Sequence, residues 1–376
     1  MSINDDLLDA VYEKNYQKAV KCIKNGADVN YENGGMSPLC LAINKHDLQM
    51  VKLLLEPEQI PPKDLKGFLH VAMAVKDKPI TKELLKYMND FSPSLFEVHD
   101  SYHKQAIDNA WPDILELMIK KGARFKKNGS DDVNPMHYAA KNKNPIYAKI
   151  LRKVVQPDFY YGEELTPLMV AAEYGNVDTM EALLQMGANP EAEQEPRVTI
   201  NFLIPSLLRV ALVKSCINHI DSVVHKATSS RNTKAIDILL KYKPDLNLNK
   251  IGTKGKTPLV IASENADIEM VKHLLKLGVS TSISAGIKYP LHAAVDGNSI
   301  EVVKLLLEYG SKPVCYDEHS RTPLEKAVHE SRKYGIQNPE LIDLLKYAQN
   351  NPQKVASQNP VYYPGRDPRR GRGPRS

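Results

Sequence analysis

One short phrase returns along the chain and limits what it can fold into. Ser-Pro-Leu-Cys stands at 37–40, Asn-Pro-Met-His at 134–137 and Thr-Pro-Leu-Met at 166–169. Thr-Pro-Leu-Val follows at 257–260, Tyr-Pro-Leu-His at 289–292 and Thr-Pro-Leu-Glu at 322–325. The alanine four positions after the proline gives a register mark at Ala10, Ala42, Ala72, Ala106, Ala139, Ala171, Ala227, Ala262, Ala294 and Ala327. Successive marks lie 30 to 35 residues apart, except for one step of 56 between Ala171 and Ala227. Such a period belongs to stacked supersecondary units, each too small to bury its own apolar face and so dependent on its neighbours.

The residue types around each mark explain how a unit folds. Five positions earlier stand Asp5, Ser37, Ser101, Asn134, Thr166, Ser222, Thr257 and Thr322, whose side chains can accept hydrogen bonds from the free N–H groups of a first helical turn. In six units proline comes next, where its missing donor costs nothing and its fixed φ suits a helix start. Sixteen positions after the mark stand Gly26, Gly122, Gly187, Gly278 and Gly310, which permit a left-handed helix end. Between mark and glycine lies a second apolar stretch, such as Val-Val-Lys-Leu-Leu-Leu at 302–307. Each unit therefore predicts a short inner helix, a tight turn, a longer outer helix and a connecting loop.

These helix starts, the Leu-Leu pairs and Gly-Ala-Asp-Val-Asn at 26–30 resemble ankyrin repeats. The resemblance covers residues 1–348 as about ten units and is weakest at Ala72, Ala106 and Ala227, where Phe68, Tyr102 and Val223 replace the proline. It implies an all-α solenoid of stacked helix-turn-helix units with short hairpin loops. It also implies a non-enzymatic scaffold that binds one or more partner proteins through a concave face of inner helices and finger loops, with no cofactor and no small-molecule substrate.

Length and charge agree with one extended array plus a tail. The formal charge is +5, and residues 349–376 carry six basic side chains against the single acid Asp367, leaving 44 of each sign in residues 1–348. The expected organisation is thus an array over 1–348 and a disordered Arg/Gly/Pro tail over 349–376, since the tail has too little apolar area to offset its ordering entropy. No stretch of eighteen uncharged apolar residues occurs and residues 1–20 lack a secretory core, so the expectation is a chain without a membrane span, in the cytoplasm or nucleus. Cys22, Cys40, Cys216 and Cys315 are scattered with no Cys-x-x-Cys pair, which suits reduced thiols better than metal or disulfide use.

Departures from the repeat point to contact sites. The 56-residue step holds an insertion of roughly 23 residues within 191–218, acidic at first and then apolar; it fits either an extra helix packed on the array or a docking element. A smaller insertion of about six residues at 329–338 is expected as a solvated loop exposing Arg332, Lys333 and Tyr334. Phe159, Tyr160 and Tyr161 fall at a predicted finger tip, where they either touch a partner or pack on the adjacent finger, and Tyr174 could extend that patch. In the tail, Arg366, Arg369, Arg370, Arg372 and Arg375 among glycine, proline and tyrosine can engage phosphates, so nucleic acid or another anionic surface is the alternative partner. Asn359-Pro-Val-Tyr362 matches a four-residue adaptor-docking pattern, too short to weigh much.

Two patterns are decoys. Gly255-Lys256-Thr257 looks like the end of a phosphate loop, but Lys250 stands where that motif needs glycine, and Pro258 marks a repeat start. His70, His137, His225 and His292 share one register, two before the mark; a helix-start hydrogen bond in each unit accounts for them better than metal ligation. No nucleophile–base pair emerges, so no catalytic residue is assigned.

Overall fold

The computed structural model describes residues 2–56, 65–88, 102–123, 135–158, 165–194, 220–283, 289–335 and 338–352. The chain divides into two compact units, Met1–Gly162 and Glu163–Ser376. Among the described residues each unit holds five helix pairs and no β-strand. In the first these are α1 (Ile3–Tyr12) with α2 (Tyr16–Lys24), α3 (Pro38–Asn44) with α4 (Leu48–Leu54), α5 (Leu65–Ala74) with α6 (Lys78–Tyr87), α7 (Tyr102–Asp108) with α8 (Pro112–Lys120), and α9 (Pro135–Ala140) with α10 (Ile146–Leu151). In the second they are α11 (Pro167–Glu173) with α12 (Val177–Gln185), α13 (Val223–Ser229) with α14 (Thr233–Tyr242), α15 (Pro258–Glu264) with α16 (Ile268–Lys276), α17 (Pro290–Asp296) with α18 (Ile300–Glu308), and α19 (Pro323–Tyr334) with α20 (Pro339–Asn350).

Within a unit each odd-numbered, inner helix packs on the next inner helix, and the outer helices stack alongside. All ten register alanines are buried, between 0 and 6% exposed, because no larger side chain fits where the inner helix meets its neighbours. The outer helices bury Met270, Val271, Leu274 and Leu275 in α16 and Val302, Val303, Leu306 and Leu307 in α18. At roughly 1.5–3 kcal/mol per buried aliphatic side chain, these layers supply the main driving force.

The predicted caps form at Ser37, Thr166, Thr257 and Thr322, each hydroxyl accepting from the N–H three residues on at 3.2–3.3 Å. Thr257 is thus a repeat start. Asp5 is a correction: α1 begins earlier, with Ser2 as its cap and Asp5 reaching back to the Ser2 N–H at 3.0 Å. Ser101 and Asn134 lie outside the described residues. All five glycines at the outer-helix ends are left-handed, with φ from 79 to 94°.

The inter-helix turn follows a rule not foreseen from the pattern. Four positions after the register alanine, the backbone is left-handed at Lys14, His46, Lys76, Ala110, Gly175, Arg231, Ala266 and Asn298. The following N–H then closes on the alanine carbonyl, as in Asn15 to Ala10 at 2.8 Å and Asp267 to Ala262 at 3.0 Å. That same following residue caps the outer helix: Asn15, Asp47, Asp77, Asp267 and Ser299 each accept from the N–H three residues on. One short turn therefore ends one helix and starts the next.

The expected loop at 329–338 is also corrected. The inner helix α19 continues for 12 residues to Tyr334 and ends at Gly335, left-handed at φ 67°. Glu330, Arg332 and Lys333 are good helix formers and nothing breaks the helix before that glycine.

Candidate functional site

Three surfaces of the stack are available for contact: the inner-helix face, the inter-helix turns and the finger loops. The inner-helix face is partly satisfied by the protein itself. The side chain just before a register alanine reaches the side chain two after the preceding one: Lys226 to Glu173 at 3.3 Å, Lys326 to Asp296 at 2.6 Å, and the Tyr138 hydroxyl to Asp108. These polar rungs tie consecutive pairs together. Lys326 is only 9% exposed in its side chain, so loss of Asp296 would leave a poorly solvated charge without this partner.

The histidine register turns out to do more than start helices. His225 Nδ1 accepts from the Ser222 N–H at 3.1 Å, the expected helix-start bond, which leaves the proton on Nε2 to donate to the Lys250 carbonyl at 3.1 Å. His292 has no such helix-start bond to Tyr289; its Nε2 donates to the Arg321 carbonyl at 2.8 Å. Each ring thus holds the loop that leads into the next pair. His70 Nδ1 instead meets Gln105 Nε2 at 3.1 Å, and His137 is buried. Burial lowers the His225 and His292 pKa values, so both rings stay neutral tethers. Among the described residues no group of three His, Cys, Asp or Glu could hold a metal ion.

The finger before α19 is organised by Asp317. Its Oδ1 accepts from the His319 and Arg321 N–H groups at 2.9 Å each, and its Oδ2 accepts from Arg321 Nη2 at 3.0 Å. Burial alone would raise this carboxyl; the Arg321 N–H, the Arg321 guanidinium and the His319 N–H outweigh it and hold the pKa below the ordinary range. The braced loop leaves Tyr316 59% exposed and Val314 beside it in solvent. Tyr316 was missed by the sequence reading; its place six residues before the Thr322 cap was the available signal.

Tyr174 caps the end of α11 and is 56% exposed on a turn. Arg332, Lys333 and Tyr334 are exposed on the last turn of α19, with Lys333 Nζ 4.8 Å from the Tyr334 ring centre. The two places are not brought together, since α13, α15 and α17 stand between α11 and α19 in the stack. Phe159, Tyr160, Tyr161, most of the 191–218 insertion and the tail arginines lie outside the described residues.

A family model for ankyrin repeats in three copies matches residues 104–194 and 201–285, and a single-repeat ankyrin model matches 288–318, together more than half of the chain. The chain belongs to the ankyrin-repeat family. Mouse ankyrin repeat and SOCS box protein 11 is 32% identical over 113 residues, 30% of this chain and 34% of that protein. Human rabankyrin-5 is 30% identical over 172 residues, 42% of this chain and 14% of its own length. Human transient receptor potential cation channel subfamily A member 1 is 23% identical over 277 residues, 66% of this chain and 24% of its own. The chain thus spans between 14% and 34% of these relatives' lengths. The crystal structure of the human ASB11 ankyrin repeat domain matches with a TM-score of 0.53 at 22% identity, over 66% of this chain and 97% of that one, which shows the shared fold. Ankyrin repeats generally mediate protein–protein interaction and are typically non-enzymatic. Among the described residues no helix is long and apolar enough to cross a membrane.

Proposed function

We propose that this ankyrin array is a non-catalytic scaffold that captures a partner protein through its inner-helix face and finger loops. The observation that carries this reading is the placement of large aromatic side chains in solvent on braced elements: Tyr174 at 56% on a turn and Tyr316 at 59% on the Asp317-organised finger. Tyrosine there offers contact area and a polar tip, and a preformed backbone loses little entropy on binding. Tyr160 and Tyr161 are further contact residues in this proposal, and the array occupies residues 1–348 ahead of a separate tail.

Changing Tyr160, Tyr161 and Tyr174 together to alanine is expected to weaken partner capture at least about tenfold, as loss of interface aromatics does. The far-ultraviolet circular dichroism should stay unchanged. Undiminished capture, or loss of helicity, sinks the assignment.

The tail supports a second reading, a tether to nucleic acid. Five arginines lie within 366–375 while residues 1–348 carry balanced charge. If all five reach phosphates of a single strand, the logarithm of the affinity should fall with the logarithm of salt at a slope of about −3.5. A slope near zero, or binding that survives deletion of residues 353–376, removes this reading.

A further inference from the structure

The last described inner helix of the second unit, α19, carries an apolar flank on which no described helix pair packs. Within that unit, the residue three before each register alanine is buried at Leu168, Val224, Leu259 and Leu291, and the residue one after is buried at Ala172, Thr228, Ser263 and Val295. In each case the inner helix that carries them packs on the inner helix of the next pair. The equivalents in α19 are Leu324 and Val328, and both remain partly exposed. They line a shallow depression with Glu325, His329, Arg332 and Lys333. Among the described residues no further helix pair packs on α19, so two aliphatic residues stay partly uncovered at this place.

The order of charge along α19 says what the cover is. Leu324, Val328 and Arg332 follow one another at i, i+4 and i+8, and Glu325 lies seven positions before Arg332 on the same stripe. A two-fold axis passing between Val328 and His329 turns the helix onto an antiparallel copy of itself. It sets Glu325 against Arg332 of the second copy, and Arg332 against its Glu325. The two Val328 side chains then lie together near the axis, and Leu324 of each copy lies on the same flank farther out. Such a stripe is self-complementary, the requirement of an isologous contact. Glu325 is anionic there: the Thr322 N–H and hydroxyl both bond its Oε2, at 2.7 and 3.0 Å, which favours the ionised form.

We infer that this face docks a second copy of the chain, with α19 packed antiparallel on α19, the two Val328 side chains near its centre and Leu324 on the flank.

The test is sedimentation velocity on the full chain over a concentration series. The expected result is a reversible monomer–dimer equilibrium. Arg332→Glu should weaken the dimer at least about tenfold by placing like charges opposite each other, with an unchanged melting temperature. An equimolar mixture of Arg332→Glu with Glu325→Lys should recover it, because every pair is then opposite in sign. Val328→Asp should weaken the dimer without recovery in any mixture, a check independent of the Thr322 cap. A full chain that stays monomeric at every concentration overturns the inference. So does a dimer indifferent to Arg332→Glu, or one that the mixture fails to restore. If dimers form only after residues 353–376 are deleted, the tail is the occupant and the second copy is not.

Discussion

Gly297→Ala lowers the stability of the second unit by about 1–3 kcal/mol, the range for forcing an extra carbon into a closed contact. Gly297 ends α17 at φ −71°, so its own conformation would accept alanine. The obstacle is the neighbouring pair: an added Cβ would stand 2.7 Å from the Ser263 carbonyl oxygen and 2.8 Å from that of Glu264. Both are main-chain atoms at the end of α15 and cannot swing aside as a flexible side chain would. The end of α17 must withdraw from α15, and the α15–α17 interface weakens. Since a repeat stack is held by nearest-neighbour interfaces, the last two pairs should then melt ahead of the rest. Gly278→Ala is the control, because a Cβ there meets nothing within 4 Å and the cost is limited to left-handed strain at φ +79°. A Gly297→Ala protein that melts like the parent, in one transition, would show that the two pairs are not closely seated.

Acidification from pH 7 to pH 5 destabilises the fold before its carboxylates titrate. His103 in α7 is buried, and burial followed by the nearby Lys104 charge lowers its pKa to about 3. Burial likewise lowers His225, against the opposing pull of Asp221 and the Lys250 carbonyl, and His292, against the Arg321 carbonyl. Folded, His103 stays neutral over this interval and His225 and His292 take up a proton less readily than when unfolded, where each binds one near pH 6.5. The unfolded state therefore holds more protons below that value, and stability falls as pH falls. The limit is about 1.4 kcal/mol per pH unit for each fully shifted ring. For His103 the loss runs from about 6.5 down to its folded value near 3. Carboxylates held low enter later: Asp113, lowered to about 2 by Lys78 and Lys82 in spite of burial, loses its contribution only below about pH 4. Urea midpoints measured between pH 7 and pH 5 read the histidines. A flat profile over that interval contradicts neutral buried rings, and His103→Gln should reduce the slope.

Much of this architecture was legible because it rests on local chemistry. Ser37, Thr166, Thr257 and Thr322 cap helices as hydroxyl residues before proline do, and the register alanines are buried in the inner-helix layer. What was not legible depends on neighbours. His292 tethers a carbonyl 29 residues away at Arg321, a partner that spacing within one unit does not reveal. The polar rungs, such as Lys326 to Asp296, likewise join residues of successive pairs. The extension of α19 was a different kind of miss, since Gly335 already marked the stop and the polar residues before it all favour helix. For the contact surface, exposure of Tyr174 followed from its place in a turn, whereas Tyr316 stands out only because Asp317 and Arg321 brace its loop.

The central claim is that the helix stack, and not the basic tail, recognises the partner. Affinity capture from cell lysate tests it most directly, comparing the full chain with residues 1–352, which retain the whole of α20, each washed at low and high salt. Both forms are expected to retain the same proteins, which stay bound at high salt. Capture that needs residues 353–376, vanishes at high salt and carries nucleic acid with it would contradict the account.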